Sequence, residues 1–215
     1  VECARAFDRI RSDTGRTIRL AVEPEPFCVL ETTAEAVAFF GRLWNVADAR
    51  GAGAVVREHV GVCFDVCHQA VEFEDVGDAV RTLHAAGVRI NKVHLSCALR
   101  LERPATDAAG RAALARFAEP RYLHQTFARR ADGTLSRAVD LTPELVANPP
   151  PGFADADEWR VHFHVPIDAE SMGPLGTTRA ALGEALAAVA ALPYAPHLEV
   201  ETYTWNVLPG EGAPD

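Results

Sequence analysis

The sequence predicts an α/β fold in which parallel strands alternate with covering helices. Helical and extended apolar patterns alternate along the chain, and the segments between strands are long enough to contain a helix. Polar side chains also collect where the strands end, which is typical of a (β/α)8 TIM barrel. No glycine-rich phosphate loop, the usual mark of an open doubly wound sheet, occurs in the chain.

The individual elements follow from periodicity and from their end signals. Helical spacing of apolar residues predicts helices over residues 2–14, 32–51, 76–87, 107–117 and 178–192. The second of these begins with Thr32-Thr33-Ala34-Glu35, the pattern of a capping box. Short apolar runs predict strands over residues 17–24, 61–65, 88–96, 159–167 and 197–204. We expect all five strands to be parallel.

Five strands do not close an eight-stranded barrel. The chain does not begin with Met, so we expect residues 1–215 to be a single domain holding the C-terminal five β/α units, with the earlier strands preceding Val1. Asp132-Gly133 lies between two extended runs and predicts a β-hairpin over residues 122–141, which we expect to be an insertion outside the barrel. The proline-rich stretch 148–152 is expected to be a loop.

Composition limits the class of function. Of 215 residues, 48% are hydrophobic and 24% charged, as in a globular domain. Lys and Arg number 21 against 30 Asp and Glu, a net charge of −9 that argues against nucleic-acid binding. No apolar run is long enough to insert into a membrane. Five cysteines form a sparse, odd set, which predicts reduced thiols in a cytoplasmic protein.

Carboxylates and imidazoles recur at the ends of the five predicted strands. Singly, each is explained by a structural role, since a lone His is most often hydrogen-bonded and a lone Glu is most often solvated. Their agreement across five strands predicts one site for a divalent metal such as Mn²⁺, Zn²⁺, Co²⁺ or Fe²⁺. The residues are Glu23 and Glu25; Asp65 and His68; His94; His162 and His164; Glu199 and Glu201.

Several of these segments resemble a known family. The run GVCFDVCHQA resembles the D-x-x-H strand of xylose-isomerase-like TIM barrels, the superfamily of sugar phosphate isomerases and epimerases and of endonuclease IV, and VHLS and LEVET resemble its later metal-bearing strands. More closely, AVEPEPFCVLET, GVCFDVCHQAVEFED, YLHQTFAR, WRVHFHVPI and HLEVETYTW resemble the bacterial EboE-type metabolite traffic proteins. That resemblance implies a role in handling a small, cyclitol-like or aromatic metabolite on its way to the membrane.

The resemblance to sugar epimerases implies a set of residue roles. One divalent ion would be held by Glu23, Asp65, His94 and Glu201, and the two glutamates would be the catalytic proton-transfer pair. His68 and Arg100 would contact substrate oxygens. The V-E-T context favours Glu201 over Glu199, and the end of the first strand at Pro24 favours Glu23 over Glu25.

His162 and His164 leave two alternatives open. Alternate residues of a strand point the same way, so the pair either lines a polar substrate pocket or holds a second metal with His68. Endonuclease IV has an Asp-x-His sequence at this position, whereas this chain has His162-Phe163-His164. This difference and the acidic charge argue against a DNA-repair enzyme.

Three functions are consistent with these features. The first is a metal-dependent isomerase or epimerase acting on a polyhydroxylated or cyclitol-like metabolite. The second is a carrier that binds such a metabolite without turnover and passes it to other proteins of an export pathway. The third, which the charge disfavours, is a metal-dependent phosphodiesterase of the endonuclease IV type.

Overall fold

A computed structural model describes residues 1–209 of the chain as a mixed α/β fold with two sheets. The α-helices are α1 (Glu2–Thr14), α2 (Thr33–Ala49), α3 (Gly53–His59), α4 (Val66–Val71), α5 (Val76–Ala85), α6 (Ala108–Leu114), α7 (Pro143–Ala147), α8 (Pro151–Ala154) and α9 (Arg179–Ala190). The strands are β1 (Leu20–Val22), β2 (Val60–Asp65), β3 (Ile90–Leu95), β4 (Cys97–Glu102), β5 (Thr126–Arg129), β6 (Leu135–Ala138), β7 (Glu158–Val165), β8 (Ser171–Met172), β9 (Leu175–Thr177) and β10 (His197–Val200).

The first sheet is parallel and has the strand order β1-β2-β3-β10. Its second strand is buried along its whole length, as expected for a strand covered on both faces. Helix α2 begins with the predicted capping box: the Thr32 hydroxyl accepts the Glu35 backbone N–H, and the Glu35 carboxylate accepts the Thr32 N–H. All four carboxyl ends of these strands lie at one edge of the sheet, where side chains can meet.

The second sheet is antiparallel and has the order β6-β5-β7-β4-β9-β8. It begins where the first sheet ends, because β3 continues through the single residue Ser96 into β4. Strand β7 lies at the centre, between β4 and β5, and Trp159 and Phe163 on it are fully buried. The continuous path from β3 to β4 therefore places β7 beside the carboxyl ends of the parallel strands.

The expectation of five parallel strands was wrong for one strand. Residues 158–165 form β7, which pairs antiparallel with β4 and β5. The apolar pattern of the sequence cannot give the direction of a strand, because side chains alternate with period two in parallel and in antiparallel sheets. Within residues 1–209 the strands form two open sheets and no closed barrel, so the predicted TIM barrel is not confirmed.

The hairpin is present but does not stand apart. Strands β5 and β6 pair antiparallel around Asp132-Gly133, with Gly133 at φ +84°. However, β5 also pairs with β7, so the hairpin extends the second sheet instead of lying outside it. Several elements were not predicted. Helices α3, α4 and α7 and the β8–β9 pair are too short for a periodic signal, whereas β4 was missed although it is as long as β3. The loop predicted over residues 148–152 was wrong for its last two residues, Pro151 and Gly152, which begin α8.

The outer strands of the parallel sheet expose apolar side chains. On β1, Leu20 is 42% exposed, and on β10, Leu198 and Val200 are 47% and 58% exposed. All five cysteines are free thiols, and three of them are buried, namely Cys63, Cys67 and Cys97. Among residues 1–209, no helix has both the length and the apolar character to cross a bilayer.

Gly61 is required by a close approach between β2 and the segment before β3. A Cβ at this position would overlap the backbone carbonyl oxygen of Arg89 and the side-chain amide of Asn91. We expect Gly61→Ala to lower the free energy of unfolding by about 1–3 kcal/mol, as overpacking does. Urea unfolding followed by circular dichroism measures the difference.

Gly41 is the matched control. It lies in α2 with open space around its Cα, so Gly41→Ala should raise the free energy of unfolding by about 0.5–1 kcal/mol through helix propensity. Equal effects of the two substitutions would contradict the close-approach argument.

Candidate metal centre

Four residues from four neighbouring parallel strands meet at the carboxyl edge of the first sheet. Glu23 follows β1, Asp65 ends β2, His94 lies near the end of β3, and Glu201 follows β10. One ligand atom from each lies within 4.8 Å of the others. We call these four residues the carboxylate cluster. Their convergence, which the sequence predicted, is confirmed; their role as metal ligands stays a prediction.

The Nδ1 atom of His94 lies among three carboxylates. It is 2.7 Å from Glu201 Oε2, 3.0 Å from Glu23 Oε1 and 3.3 Å from Asp65 Oδ2. An imidazole nitrogen can donate only one proton, so it cannot satisfy three carboxylate oxygens at once. The cluster therefore has more negative charge than its own imidazole can compensate.

Asp65 is oriented by its surroundings so that one oxygen stays free. Its Oδ1 accepts the Ser96 hydroxyl at 2.8 Å and the His68 backbone N–H at 3.0 Å. Its Oδ2 has no hydrogen-bond partner, although the side chain is fully buried. A buried carboxylate oxygen without a partner costs free energy, and a bound cation would remove that cost. The donor set, three carboxylates and one imidazole, fits a divalent metal ion.

Charge within the cluster shifts its pKa values in opposite directions. Burial raises the pKa of Asp65, but the charges of His68 and His164 and the nearby His94 imidazole outweigh it and hold the pKa well below its usual range. The neighbouring side chains of Asp65, Cys63, Glu201 and Glu23 raise the pKa of His94 far above its usual range. Without a metal, a proton on His94 is therefore the counter-charge of the carboxylates.

The four residues differ in depth. The side chains of Asp65 and His94 are 0% and 7% exposed, whereas those of Glu23 and Glu201 are 33% and 28% exposed. The first pair forms the floor of the site and the second pair its rim. Glu23 and Glu201 are therefore the more solvent-accessible members of the cluster.

Three more predicted residues form a second group beside the first. His68 lies in α4, and His162 and His164 are alternate residues of β7 that point the same way. His162 Nε2 lies 3.1 Å from Nε2 of His68 and 3.1 Å from Nε2 of His164. We call these three residues the imidazole cluster. Asp65 is the link between the clusters, because its Oδ2 is 3.9 Å from His164 Nε2.

The remaining predicted residues lie elsewhere or play other parts. Arg100 is on β4, where its guanidinium pairs with Glu158 at 2.9 Å and also with Glu102. These ion pairs do not join it to either cluster, and its proposed contact with substrate stays a prediction. Glu199 pairs with Lys92 at 2.7 Å and lies outside the carboxylate cluster. Glu25 offers an oxygen near His68 and His162.

Two residues with a structural part in the site were not predicted. Ser96 holds Asp65, and Gln125 accepts the His162 Nδ1–H at 2.7 Å through its side-chain oxygen. Gln125 belongs to the buried run His124-Gln125-Thr126, whose last residue begins β5. Three consecutive polar residues at the start of an apolar strand were the available signal, since buried polar groups are normally hydrogen-bonded.

The pKa shifts predict how the stability of the metal-free protein depends on pH. His94 keeps its proton in the folded state, while in the unfolded state it loses it above about pH 6.5. Stability should therefore fall as pH rises from about 6.5, with a slope of up to about 1.4 kcal/mol per pH unit. Urea unfolding of the chelator-treated protein between about pH 5 and pH 9 measures this slope.

The loss of stability at acidic pH has a different cause. Burial, followed by neighbouring positive charge, lowers the pKa of His162, and burial lowers the pKa of His164. These groups cost stability as pH falls below about 6.5, because only the unfolded state then takes up the proton. His94→Gln should remove the alkaline decline and keep the acidic one; an unchanged alkaline decline would show that another group causes it.

Comparison of the chain with family models, with curated proteins and with solved structures found no match. The functional argument therefore rests on the two clusters and on the residues that orient them.

Proposed function

We propose that the chain binds one divalent cation in the carboxylate cluster and acts there on a small polyhydroxylated or cyclitol-like metabolite. The observation that carries the proposal is the position of His94 Nδ1 among three carboxylate oxygens, one of which is buried without a hydrogen-bond partner. A single cation offsets that excess of negative charge. Carboxylate and imidazole ligands suit Mn²⁺, Zn²⁺, Co²⁺ or Fe²⁺.

The residues divide into holding and reacting groups by depth. Asp65 and His94, at the floor, would hold the cation. Glu23 and Glu201, at the rim, can reach a substrate as well as the cation. When bound, the ion supplies Lewis-acid chemistry to a hydroxy-carbonyl group. Glu23 and Glu201 would then move a proton at the carbon next to the carbonyl, one taking it and the other returning it. This is the reaction of an isomerase or epimerase.

Substrate contacts would come from the second group. His68, His162 and His164 lie beside the cation position and present nitrogen atoms towards one another. Tyr203 adds an aromatic wall, its ring centroid 4.7 Å from that of His164. In this proposal, Arg100 contacts the substrate only after its ion pair with Glu158 opens.

The family relationship is part of the same proposal. We propose that the parallel sheet corresponds to strands of a xylose-isomerase-like TIM barrel and that the chain is an EboE-type metabolite traffic protein. Support comes from the cluster of metal-ligand residues at the carboxyl ends of four adjacent parallel strands, where TIM-barrel enzymes have their active sites. Five free cysteines support a cytoplasmic location, and a traffic role implies handover to other proteins of an export pathway.

Asp65→Ala tests whether the cluster binds a metal. The substitution removes the free buried oxygen and the link to Ser96, so we expect the affinity for Mn²⁺ to fall by roughly two orders of magnitude or more. Metal content after dialysis, determined by elemental analysis, is the measurement. The fold should persist, because the strands pack through apolar faces.

The matched control is Glu199→Gln on the same sheet edge. Glu199 is an exposed carboxylate paired with Lys92 outside the cluster, so this variant should bind Mn²⁺ like the parent. If Asp65→Ala and Glu199→Gln bind metal equally well, the carboxylate cluster is not the metal site.

Proton exchange tests whether the site turns over substrate. With a panel of sugars and cyclitols in D₂O, we expect metal-dependent incorporation of deuterium next to a carbonyl, observed by NMR and mass spectrometry. Glu201→Gln should lower the rate by about 10²–10⁴-fold, the usual contribution of a general base. Glu199→Gln should keep it.

The outcome also separates the enzyme from the carrier. Metal-dependent binding of a panel member without exchange would show that the chain carries the metabolite and does not transform it. Exchange that survives Glu201→Gln would exclude Glu201 as the proton-transfer residue.

A further inference from the structure

A cavity of about 330 Å³ lies at the amino end of the parallel sheet. Its lining residues lie at the start of β1, β3 and β10, whereas the carboxylate cluster lies where these strands end. Asn91 in the lining and His94 in the cluster are three residues apart on β3, which is about 10 Å of strand. We call this space the amino-end cavity. Its size is at the lower end of the range of small-molecule sites.

The amino-end cavity is lined by cationic and neutral groups, although the chain has a net charge of −9. Arg19, Arg89 and Lys92 line it, together with the imidazole of His197 and the side-chain amide of Asn91. Neither Asp nor Glu is among its lining residues within the described range 1–209. A concave space lined by charges of one sign raises the local concentration of ions of the opposite sign.

Two of the three cations have a carboxylate partner next to the cavity. The Arg19 guanidinium lies 2.6 Å from Glu58 Oε1, and the Lys92 ammonium lies 2.7 Å from Glu199 Oε2. In both pairs the two side chains are more than a quarter exposed. Exposed ion pairs are weak, so these two cations can also attract an anion that enters the cavity.

Arg89 is the cation without a carboxylate partner in the part of the chain that the structure describes. Its Nε–H is buried and has no hydrogen-bond partner there either. A guanidinium is always charged at physiological pH, so this charge is not compensated by the protein. A bound anion would compensate it.

Aromatic stacking holds Arg89 in place. Its guanidinium carbon lies 4.0 Å from the ring centroid of Tyr194, and the Tyr194 hydroxyl accepts the Ile90 backbone N–H at 3.1 Å. A guanidinium donates in its own plane, so a ring against one face leaves its terminal N–H groups available. A planar fork that is already oriented matches the oxygen atoms of a phosphate or carboxylate group.

We propose that the amino-end cavity binds the oxyanion group, phosphate or carboxylate, of a small molecule. Arg89 would donate to the oxyanion, and the charges of Arg19 and Lys92 would add to the attraction. This site goes beyond the proposed function and does not depend on it, because no residue of the carboxylate cluster lines the cavity.

The test uses the full chain, freed of metal by chelation so that no probe can bind through a metal ion. Isothermal titration calorimetry compares three probes of one carbon skeleton: glycerol 3-phosphate, glycerate and glycerol. We expect one equivalent of an anionic probe to bind at millimolar concentration and glycerol not to bind. The tighter of the two anions identifies the oxyanion as phosphate or carboxylate. If neither anion binds, or if glycerol binds equally well, the proposal is wrong.

Variants of Arg89 assign the binding to the cavity. Arg89→Gln should lower the affinity for the bound anion by about 10–100-fold, the usual contribution of a hydrogen bond to a charged group. Arg89→Lys keeps the charge without the planar fork and should retain more affinity than Arg89→Gln. The matched control is Arg42→Gln, which changes an exposed arginine of α2 outside the cavity and should bind the anion like the parent. Equal losses in Arg89→Gln and Arg42→Gln would show that the anion binds by net charge alone.

A second measurement does not depend on how the variants fold. In NMR titrations of the parent chain, the backbone amides of Arg89 and Asn91 should shift more than those of Asp65 and His94. The opposite pattern would place the anion at the carboxylate cluster and overturn the proposal.

Failure of this inference and failure of the proposed function look different. Asp65→Ala should lose the metal and still bind the anion, since Asp65 is not part of the cavity lining. Arg89→Gln should lose the anion and still bind Mn²⁺. Each site is therefore tested by a variant that leaves the other intact.

Discussion

The rest of the site depends on the repulsion among the three carboxylates that strands β1, β2 and β10 bring to one sheet edge. Parallel strands end at the same edge, so Glu23, Asp65 and Glu201 approach one another whether or not their charges are compensated. His94 lies between them, and its single proton is not enough for three oxygens. The fold keeps this costly arrangement by orienting Asp65 with the Ser96 hydroxyl and the His68 backbone N–H.

The two sheets are coupled at this point by the path of the chain. Strand β3 delivers His94 to the carboxylate cluster, and the next residue but one, Ser96, both holds Asp65 and begins the turn into the antiparallel sheet. That sheet carries His162 and His164 on β7. The backbone carbonyl of Glu201 accepts the His164 Nδ1–H, so the residue that supplies a carboxylate to one cluster orients a ring of the other. A substitution in either cluster should therefore alter the geometry of both.

The rule that parallel strands share a carboxyl edge predicted one site among the nine carboxylate and imidazole residues at the strand ends, and the resemblance to sugar epimerases implied the four that form the carboxylate cluster. The sequence was not sufficient for β7, since the alternation of His162 and His164 is the same in parallel and antiparallel sheets. Nor could it place Arg100, whose partner Glu158 is 58 residues away along the chain. The part played by Gln125 depends on tertiary contacts with Pro26 and His162, which no local pattern encodes.

In the proposed mechanism, depth within the carboxylate cluster separates the residues that hold the cation from those that move a proton. A ligand that must hold a cation throughout turnover should be immobile, and Asp65 is fully buried with one oxygen fixed by two hydrogen bonds. A carboxylate that exchanges a proton with a substrate needs room to move and contact with the entering molecule, and Glu23 and Glu201 are the members with about a third of their side chains exposed. Both kinds of residue stand on the same sheet edge. The difference in exposure follows from where each strand ends. Glu23 and Glu201 lie just beyond β1 and β10, whereas Asp65 and His94 lie within β2 and β3. The backbone N–H of Glu201 still donates to the carbonyl oxygen of Leu95 on β3, so the proposed difference in role rests on the exposure of the side chains and not on a mobile backbone.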